Sequence, residues 1–439
     1  MINLPQSVFR DCLAVFRRIL PKPFLARAAT PISVSSSRDG IRLQLVHCDI
    51  CVEFHHPSPS EKLEFAIPIS ALVDCEGRGA GVVRLQPIKN VKVELHWEQA
   101  GAPCVREYAV PDTRHSPFPA WPSRDTANDP SLLAALDEAM QIPTGSIGRL
   151  SLSRIQLRGK EGDIVATDGR QLLVQGGFQF PWNESLLVSR TPVFAAKELP
   201  KGEVVRVART KTHVLIRIGA WTIALCIDPA TSFPKVDSVI PRESDVKTRW
   251  HIAVTEAPVL AKMLDKLPAA KEEYAPVTID LARTPAIRAR AEDEKRCTDL
   301  AVPSSQLEGK TTRLATDRRY LQKAMELGFC SILITSSDKP IMCKDDKRLY
   351  IWVPIDSKSA LPPQANPIRL TLPGQADDPC TSSPPPVRRR SVARESVRRP
   401  APGKPTPSAR PVGVFDGLVN CVRGLWGLVD KHRQKERMK

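Results

Sequence analysis

Ile164-Val165-Ala166-Thr167-Asp168-Gly169-Arg170-Gln171-Leu172 is the stretch on which the fold turns. A β-branched apolar run meets an Asp-Gly pair there, which predicts a strand entering a tight turn. Asp can bond its own backbone and Gly accepts positive φ, so both residues suit that turn. Asp168 could also be a general acid, but the sequence sets no carboxylate or His partner beside it, and the turn role is the simpler expectation. Just upstream, Ile155 to Val165 reads as a strand hairpin turning at Gly159-Lys160-Glu161-Gly162.

Outward from this hairpin the same order of elements recurs. Before it, Ser7 to Leu20 places Val8, Phe9, Leu13, Phe16 and Leu20 at helical spacing, with Arg10 and Arg17 on another face. Strand-like runs come next at Ile41–Val46 and Val91–Leu95. The middle round has a helix at Leu132–Met140 and a series of strands from Val204 to Cys226. The last has helices at Ala257–Leu267 and Arg319–Leu327, a strand at Val277–Leu281 and a closing strand at Leu349–Pro354. Phe118-Pro119 and Phe233-Pro234 stand 115 residues apart, and Val353-Pro354 comes 120 later. Val46-His47-Cys48-Asp49 and Val165-Ala166-Thr167-Asp168 are 119 apart. Two markers agreeing on one period predict a repeated domain of that length, used three times.

The chain's 439 residues have room for about three domains. Its 41 Pro cluster: 13 fall between Leu361 and Pro411, beside Arg388-Arg389-Arg390 and Arg398-Arg399. That composition predicts an extended basic linker. Beyond it, Val412–Asp430 carries Val414, Phe415, Leu418, Val419, Val422, Leu425, Trp426 and Val429 on one face opposite Asp416, Asn420, Arg423 and Asp430, an amphipathic helix with a basic end at Lys431 to Lys439. Such a helix docks on a partner or a membrane surface, or folds back on the body. The net charge is +16, and residues 360–439 hold +9 of it, which leaves +7 on the body and favours a polyanionic partner. Arg10, Asp11, Arg17 and Arg18 interrupt the apolar N-terminus, unlike a signal peptide, and no apolar run reaches transmembrane length. With 11 scattered Cys, free thiols and a cytoplasmic location are expected.

Enzyme motifs are missing: there is no phosphate-cradling Gly-rich loop ending in Lys-Ser/Thr, no Gly-x-Ser-x-Gly elbow and no zincin helix. His47-Cys48-Asp49-Ile50-Cys51, with His55 and His56 nearby, has a spacing that zinc or redox chemistry could use. Strand alternation would send residues three apart to opposite faces, however, and there is no second Cys pair, so buried structural cysteines are expected. The reading is a non-catalytic protein without a cofactor.

Three motifs carry a resemblance. Ala166-Thr167-Asp168-Gly169-Arg170-Gln171-Leu172 is similar to the Ala-Thr-Asp-Gly-His-Arg-Leu signature of the bacterial DNA polymerase III β subunit, the β sliding clamp. Phe233-Pro234 with Val239-Ile240-Pro241 resembles the close of that family's second domain, and Tyr350-Ile351-Trp352-Val353-Pro354-Ile355 resembles the end of its third. The resemblance covers about residues 1–356. It implies an α+β fold of three repeated DNA-clamp domains, each of two βαβββ halves, forming half of a ring. On this reading clamp domains span 1–125, 129–243 and 248–357, a Pro/Arg-rich linker 358–411, and the amphipathic helix 412–439.

By the same resemblance the chain is a homodimeric processivity factor in DNA replication that encircles duplex DNA without reading sequence. Helices would present Arg10, Arg17 and Lys22, then Arg190 and Lys197, then Lys262, Lys266, Arg319 and Lys323 to phosphates; the plain alternative for each is a solvated helix face. A cleft for short Leu- and Phe-bearing peptides of polymerase, clamp loader and repair proteins would comprise Leu152, Thr167, Gly169, Arg170, Gln171, Leu172, Pro241, Ile351, Val353, Pro354 and Ile355. For Ile351 and Val353 the alternative is ordinary strand core. Arg170-Gln171 replaces the family's His-Arg, Val353 and Ile355 replace its two Met, and the tail is additional. A second reading is a clamp-fold scaffold that recruits partners without encircling DNA.

Overall fold

A computed structural model of the chain describes residues 1–20, 30–77, 81–88, 91–111, 117–142, 150–269 and 274–372, apart from the side chains of 150 and 151. Among them one pattern occurs six times: a strand, a helix or single turn, then a three-stranded meander. The first unit is β1 (Ile2–Pro5), α1 (Gln6–Ile19), β2 (Pro31–Ser37), β3 (Gly40–His47) and β4 (Ile50–His56). The second is β5 (Leu63–Pro68), α2 (Ile69–Cys75), β6 (Val82–Ile88), β7 (Lys92–Gln99) and β8 (Ala102–Ala109). The third is β9 (Asp125–Asn128), α3 (Ser131–Met140), β10 (Arg154–Arg158), β11 (Asp163–Thr167) and β12 (Gln171–Gln175). The fourth has β13 (Ser185–Ser189), a 3₁₀ turn at Pro192–Ala195, β14 (Val205–Arg209), β15 (His213–Ile218) and β16 (Trp221–Cys226). The fifth is β17 (Thr248–His251), α4 (Ala257–Lys266), β18 (Pro276–Leu281), β19 (Ala286–Ala289) and β20 (Thr298–Ala301). After β21 (Gln306–Gly309) comes the sixth: β22 (Thr312–Asp317), α5 (Arg318–Glu326), β23 (Ser331–Ile334), β24 (Ile341–Lys344) and β25 (Arg348–Trp352). One more strand, β26 (Ile368–Thr371), ends the described chain.

Units interlock in pairs, because each opening strand joins its neighbour's meander. The antiparallel pairs are β1 with β6, β5 with β2, β9 with β14, β13 with β10, β17 with β23 and β22 with β18. Two further antiparallel ladders connect successive pairs: β4 with β16, and β12 with β25. They produce an eight-stranded sheet, β5-β2-β3-β4-β16-β15-β14-β9, and a nine-stranded one, β13-β10-β11-β12-β25-β24-β23-β17-β21. The end sheets are β1-β6-β7-β8 and β22-β18-β19-β20-β26.

Local chemistry explains the boundaries. In α1 the buried set Val8, Phe9, Cys12, Leu13, Phe16 and Ile19 keeps the 3.6-residue period, and Leu20 leaves the helical region at ψ 126° because Pro21 comes next. The expected helices at 132–140, 257–267 and 319–327 form within a residue of those bounds. The expected closing strand is shorter, stopping at Trp352, since Pro354 has no N–H for a ladder. The two sequence echoes mark equivalent places: Cys48-Asp49 and Asp168-Gly169-Arg170 both turn the second meander strand of a unit into the third. No helix among the described residues is long and apolar enough to cross a membrane.

Two expectations change. The linker does not begin at 358: Ser357–Ser359 form a 3₁₀ turn and Ile368–Thr371 form β26. Proline count concealed the period-two apolar run Ile368, Leu370, Leu372, whose last member is fully buried. Cys48 lies in a turn at φ 49°, not in a strand. Residues 373–411 of the linker and the helix expected at 412–439 lie outside the described residues.

Candidate peptide cleft and nucleic-acid face

The turn between β11 and β12 is built from its own side chains. Asp168 Oδ1 accepts from the Arg170 and Gln171 backbone N–H groups, both at 2.8 Å, and Oδ2 accepts from Gln171 Nε2 at 2.7 Å. Tyr350 Oη donates to Gln171 Oε1 at 2.7 Å, so the turn is tied to β25 through a buried contact. Thr167 Oγ1 donates to Gln171 O at 2.6 Å and accepts from Gly169 N at 3.1 Å. Gly169 has φ +90°, while a Cβ there would meet Leu152 Cδ1 at an ordinary 3.6 Å; backbone conformation, not crowding, requires glycine. Asp168 is thus a turn former. We expect Asp168→Ala to cost about 1–3 kcal/mol through loss of the bonds its carboxylate accepts, measured by urea denaturation, and an unchanged midpoint would show that the turn holds without it.

From this turn an apolar face extends. Leu172 pairs with Ile351 and Val174 with Leu349 across β12 and β25. Together with Val165, Leu333 and Met342 they form a cluster under Val236, Phe233, Ile240 and Val246 of the segment after β16. Ile351 is only 3% exposed, whereas Val353, just past the end of β25, is 47% exposed. Val353 N donates to Arg170 O at 2.9 Å, and the Arg170 guanidinium lies 4.6 Å from the Tyr274 ring centre, where the ring's negative face attracts it.

The candidate cleft residues therefore divide. Leu152, Thr167, Gly169, Arg170, Gln171, Leu172, Ile351 and Val353 gather at the junction of β12 and β25, with Pro354 next in the chain. Pro241 sits further along the same face, beside a cavity of about 300 Å³ floored by Val174, Ile240, Met342 and Leu349 and rimmed by Glu243, Lys344, Lys347 and Arg348. Ile355 bonds to Ala315 O at 2.8 Å and lines a different cavity of about 340 Å³ with Tyr274 and Arg290. Sequence reading missed Val246, Met342 and Tyr274; they carry no motif and reach this region only through the fold, Met342 on β24, Val246 after a short turn and Tyr274 just before β18. Tyr320 was also missed, and burial pushes its hydroxyl up to about 12.

Cations fall unevenly on the helices. Arg17 and Arg18 are exposed on α1, with Arg10 half-exposed and paired to Asp11 at 2.8 Å. The seven-residue spacing that singles out Arg10 and Arg17 does not reach Arg18. Lys262 and Lys266 of α4 line a groove shared with Gln322 and Glu326 of α5. Arg319 grips Asp317, the carboxylate that caps α5, and Lys323 Nζ donates to Gln141 at 3.3 Å. Lys197 is exposed, but outside a helix, just after the 3₁₀ turn. Lys22 lies outside the described residues. The solvent side of α3 carries Ser131, Ala134, Asp137 and Glu138 and neither Lys nor Arg.

Arg190 requires a correction. It is not on a helix face: it donates to Ile142 O and, at 2.7 Å, to Thr167 O. Burial pushes its guanidinium down to about 10. It braces the end of α3 against the Asp168 turn, and a side chain held this way has little to offer a phosphate. In the His47-to-Cys51 motif, Cys48 is exposed and Cys51 buried, its thiol pushed up to about 11 by burial and by nearby Cys226. Among the described residues no group of three metal-ligating side chains converges.

The chain matches no family model and no curated protein sequence. Its structure resembles a DNA polymerase III β sliding clamp from Pseudomonas aeruginosa, crystallised with griselimycin, at TM-score 0.66 and 13% identity, covering 81% of this chain and 98% of that one. A Bacillus subtilis DNA polymerase sliding clamp gives TM-score 0.67 and 14% identity over 80% of this chain and 98% of the other. A putative β subunit from Eubacterium rectale gives 0.67 and 12% over 81% and 99%. At these identities it is the architecture that is shared: six βαβββ units, interlocked in pairs, give this chain the three-domain DNA-clamp fold of bacterial β sliding clamps.

Proposed function

We propose that this protein is a DNA sliding clamp: two copies close a ring around duplex DNA, and partner proteins attach through the apolar face at the junction of β12 and β25. The observation that carries the reading is the repeated junction. β4 joins β16 and β12 joins β25 by antiparallel ladders between last meander strands, while β8 and β20 are the last meander strands left for a third such joint. Exposed cations on α1, α4 and α5 support it, since contacts to phosphate alone hold DNA without fixing a sequence. Retention would come from topology, which tolerates a solvent face on α3 that carries Asp137 and Glu138 and no cation.

Ligation tests this directly. The chain, or the chain shortened to Asn366, is mixed with linear duplex that it can thread from the ends; the duplex is then circularised and washed at high salt. We expect protein to stay on the circles in at least one of the two forms and to leave when a restriction cut reopens them. Equal loss from circles and linear DNA in both forms would rule out encirclement. It would favour the second reading, a scaffold that binds partners only, to which the occupied edge of β20 lends support.

A further inference from the structure

We infer that β26 is a built-in plug for the sheet edge through which a second copy of this chain joins. The inference rests on the proposed ring and adds its regulation. Last meander strands meet one another at both internal junctions, each over five residue pairs. By that rule the outer edge of β20 should receive β8 of another copy. In this chain it is already occupied: Thr298 to Ala301 run parallel to Ile368 to Thr371.

The plug is held at several points. Ile368 N donates to Cys297 O at 2.8 Å and Leu372 N to Ala301 O at 2.9 Å. Gln364 Oε1 accepts from Cys297 N at 2.7 Å, and Arg296 Nε donates to Asn366 O at 3.1 Å. Leu372 is fully buried. Yet β26 itself is a weak strand. It has four residues, it pairs in the slightly less stable parallel sense, and Ile368 and Leu370 remain 41% and 39% exposed. An open edge is a template for another chain, so a short, loosely packed strand there keeps the edge covered while remaining displaceable. A segment tethered this closely acts at an effective concentration on the order of millimolar. At micromolar protein that tether gives β26 an advantage of about a thousandfold over a β8 of equal intrinsic affinity from a second copy.

Solution mass across a dilution series tests the plug. Compared are the full chain, the chain ending at Asn366, and the full chain with Ile368→Pro, which removes the donor to Cys297 O. We expect a monomer for the full chain at about 10 µM, well below that effective concentration, and at least tenfold tighter dimerisation for both variants. Adding Val105→Pro on the exposed edge of β8 should return the shortened chain to monomer, separating specific pairing from aggregation. A full chain that dimerises as tightly as both variants overturns the plug and leaves the ring standing. Monomers throughout overturn both, and a dimer that survives Val105→Pro overturns β8 as the competing strand.

Discussion

Arg288→Ala is expected to destabilise the interlocked fifth and sixth units by about 3–5 kcal/mol, the range for removing one partner of a buried ion pair. Arg288 lies on β19 with its side chain only 4% exposed. It donates to Asp299 through Nε at 2.8 Å and Nη2 at 3.1 Å, to Asp280 at 3.2 Å, and to Leu361 O at 2.9 Å. Burial alone would lower its basicity, but the bonds from Asp299 and Asp280 raise it overall. Arg313 shares Asp280 from the next strand but is itself 40% exposed. Without Arg288, Asp299 loses both of its bonds while facing a buried strand. The transition of these units should fall by about 6–20 °C, at the 2–4 °C per kcal/mol of domains of about 150 residues or more. Calorimetry reads this, and a shift under about 3 °C would mean that water already screens the cluster. The double variant R288M/D299L removes charge from both sides and should regain most of the loss. Because Arg288 also holds Leu361, the single variant should loosen the lead into β26.

How much of this was legible from residues alone differs by level. Amphipathic spacing located α1, α3, α4 and α5 within one or two residues because burial on one face imposes that period. Turn chemistry identified Asp168 correctly, since its three bonds are local. The same tripeptide shows the limit: Ala315-Thr316-Asp317 ends a strand too, but there Asp317 accepts from Arg319 N and starts a helix. The residues just after the Asp decide between the two outcomes, Gly169 favouring positive φ in one case and Arg318-Arg319-Tyr320 permitting helix in the other. Arg190 was misread because its partners, Ile142 O and Thr167 O, are backbone atoms that carry no sequence signal. β26 was hidden by its composition, and its meaning comes from the edge of β20, about 70 residues upstream in the chain.

Val353→Asp should abolish most peptide capture while leaving the fold intact. Leu349 and Ile351 point to one side of β25 and join the apolar cluster, and Val353, the residue that follows the strand, is 47% exposed beside it. Its backbone bond to Arg170 O does not involve the side chain. Stability should therefore change by no more than about 0.5 kcal/mol, as for surface sites generally. Binding is different, because a peptide Leu or Phe laid on this face must cover the substituted position. It would forfeit apolar burial worth on the order of 1 kcal/mol and desolvate a carboxylate as well. The affinity of a fluorescent hexapeptide ending in Leu-Phe should fall at least about tenfold, equivalent to 1.4 kcal/mol. Val254→Asp supplies the control: it is 74% exposed in the loop before α4, away from the apolar cluster, and should leave affinity unchanged. Ile351→Ala supplies the opposite one. It sits in the cluster and should lose about 2–5 kcal/mol of stability as well as affinity. If Val353→Asp and Val254→Asp bind the peptide equally, Val353 is merely a frayed strand end, and the partner site must be sought at the 300 Å³ cavity beside Pro241.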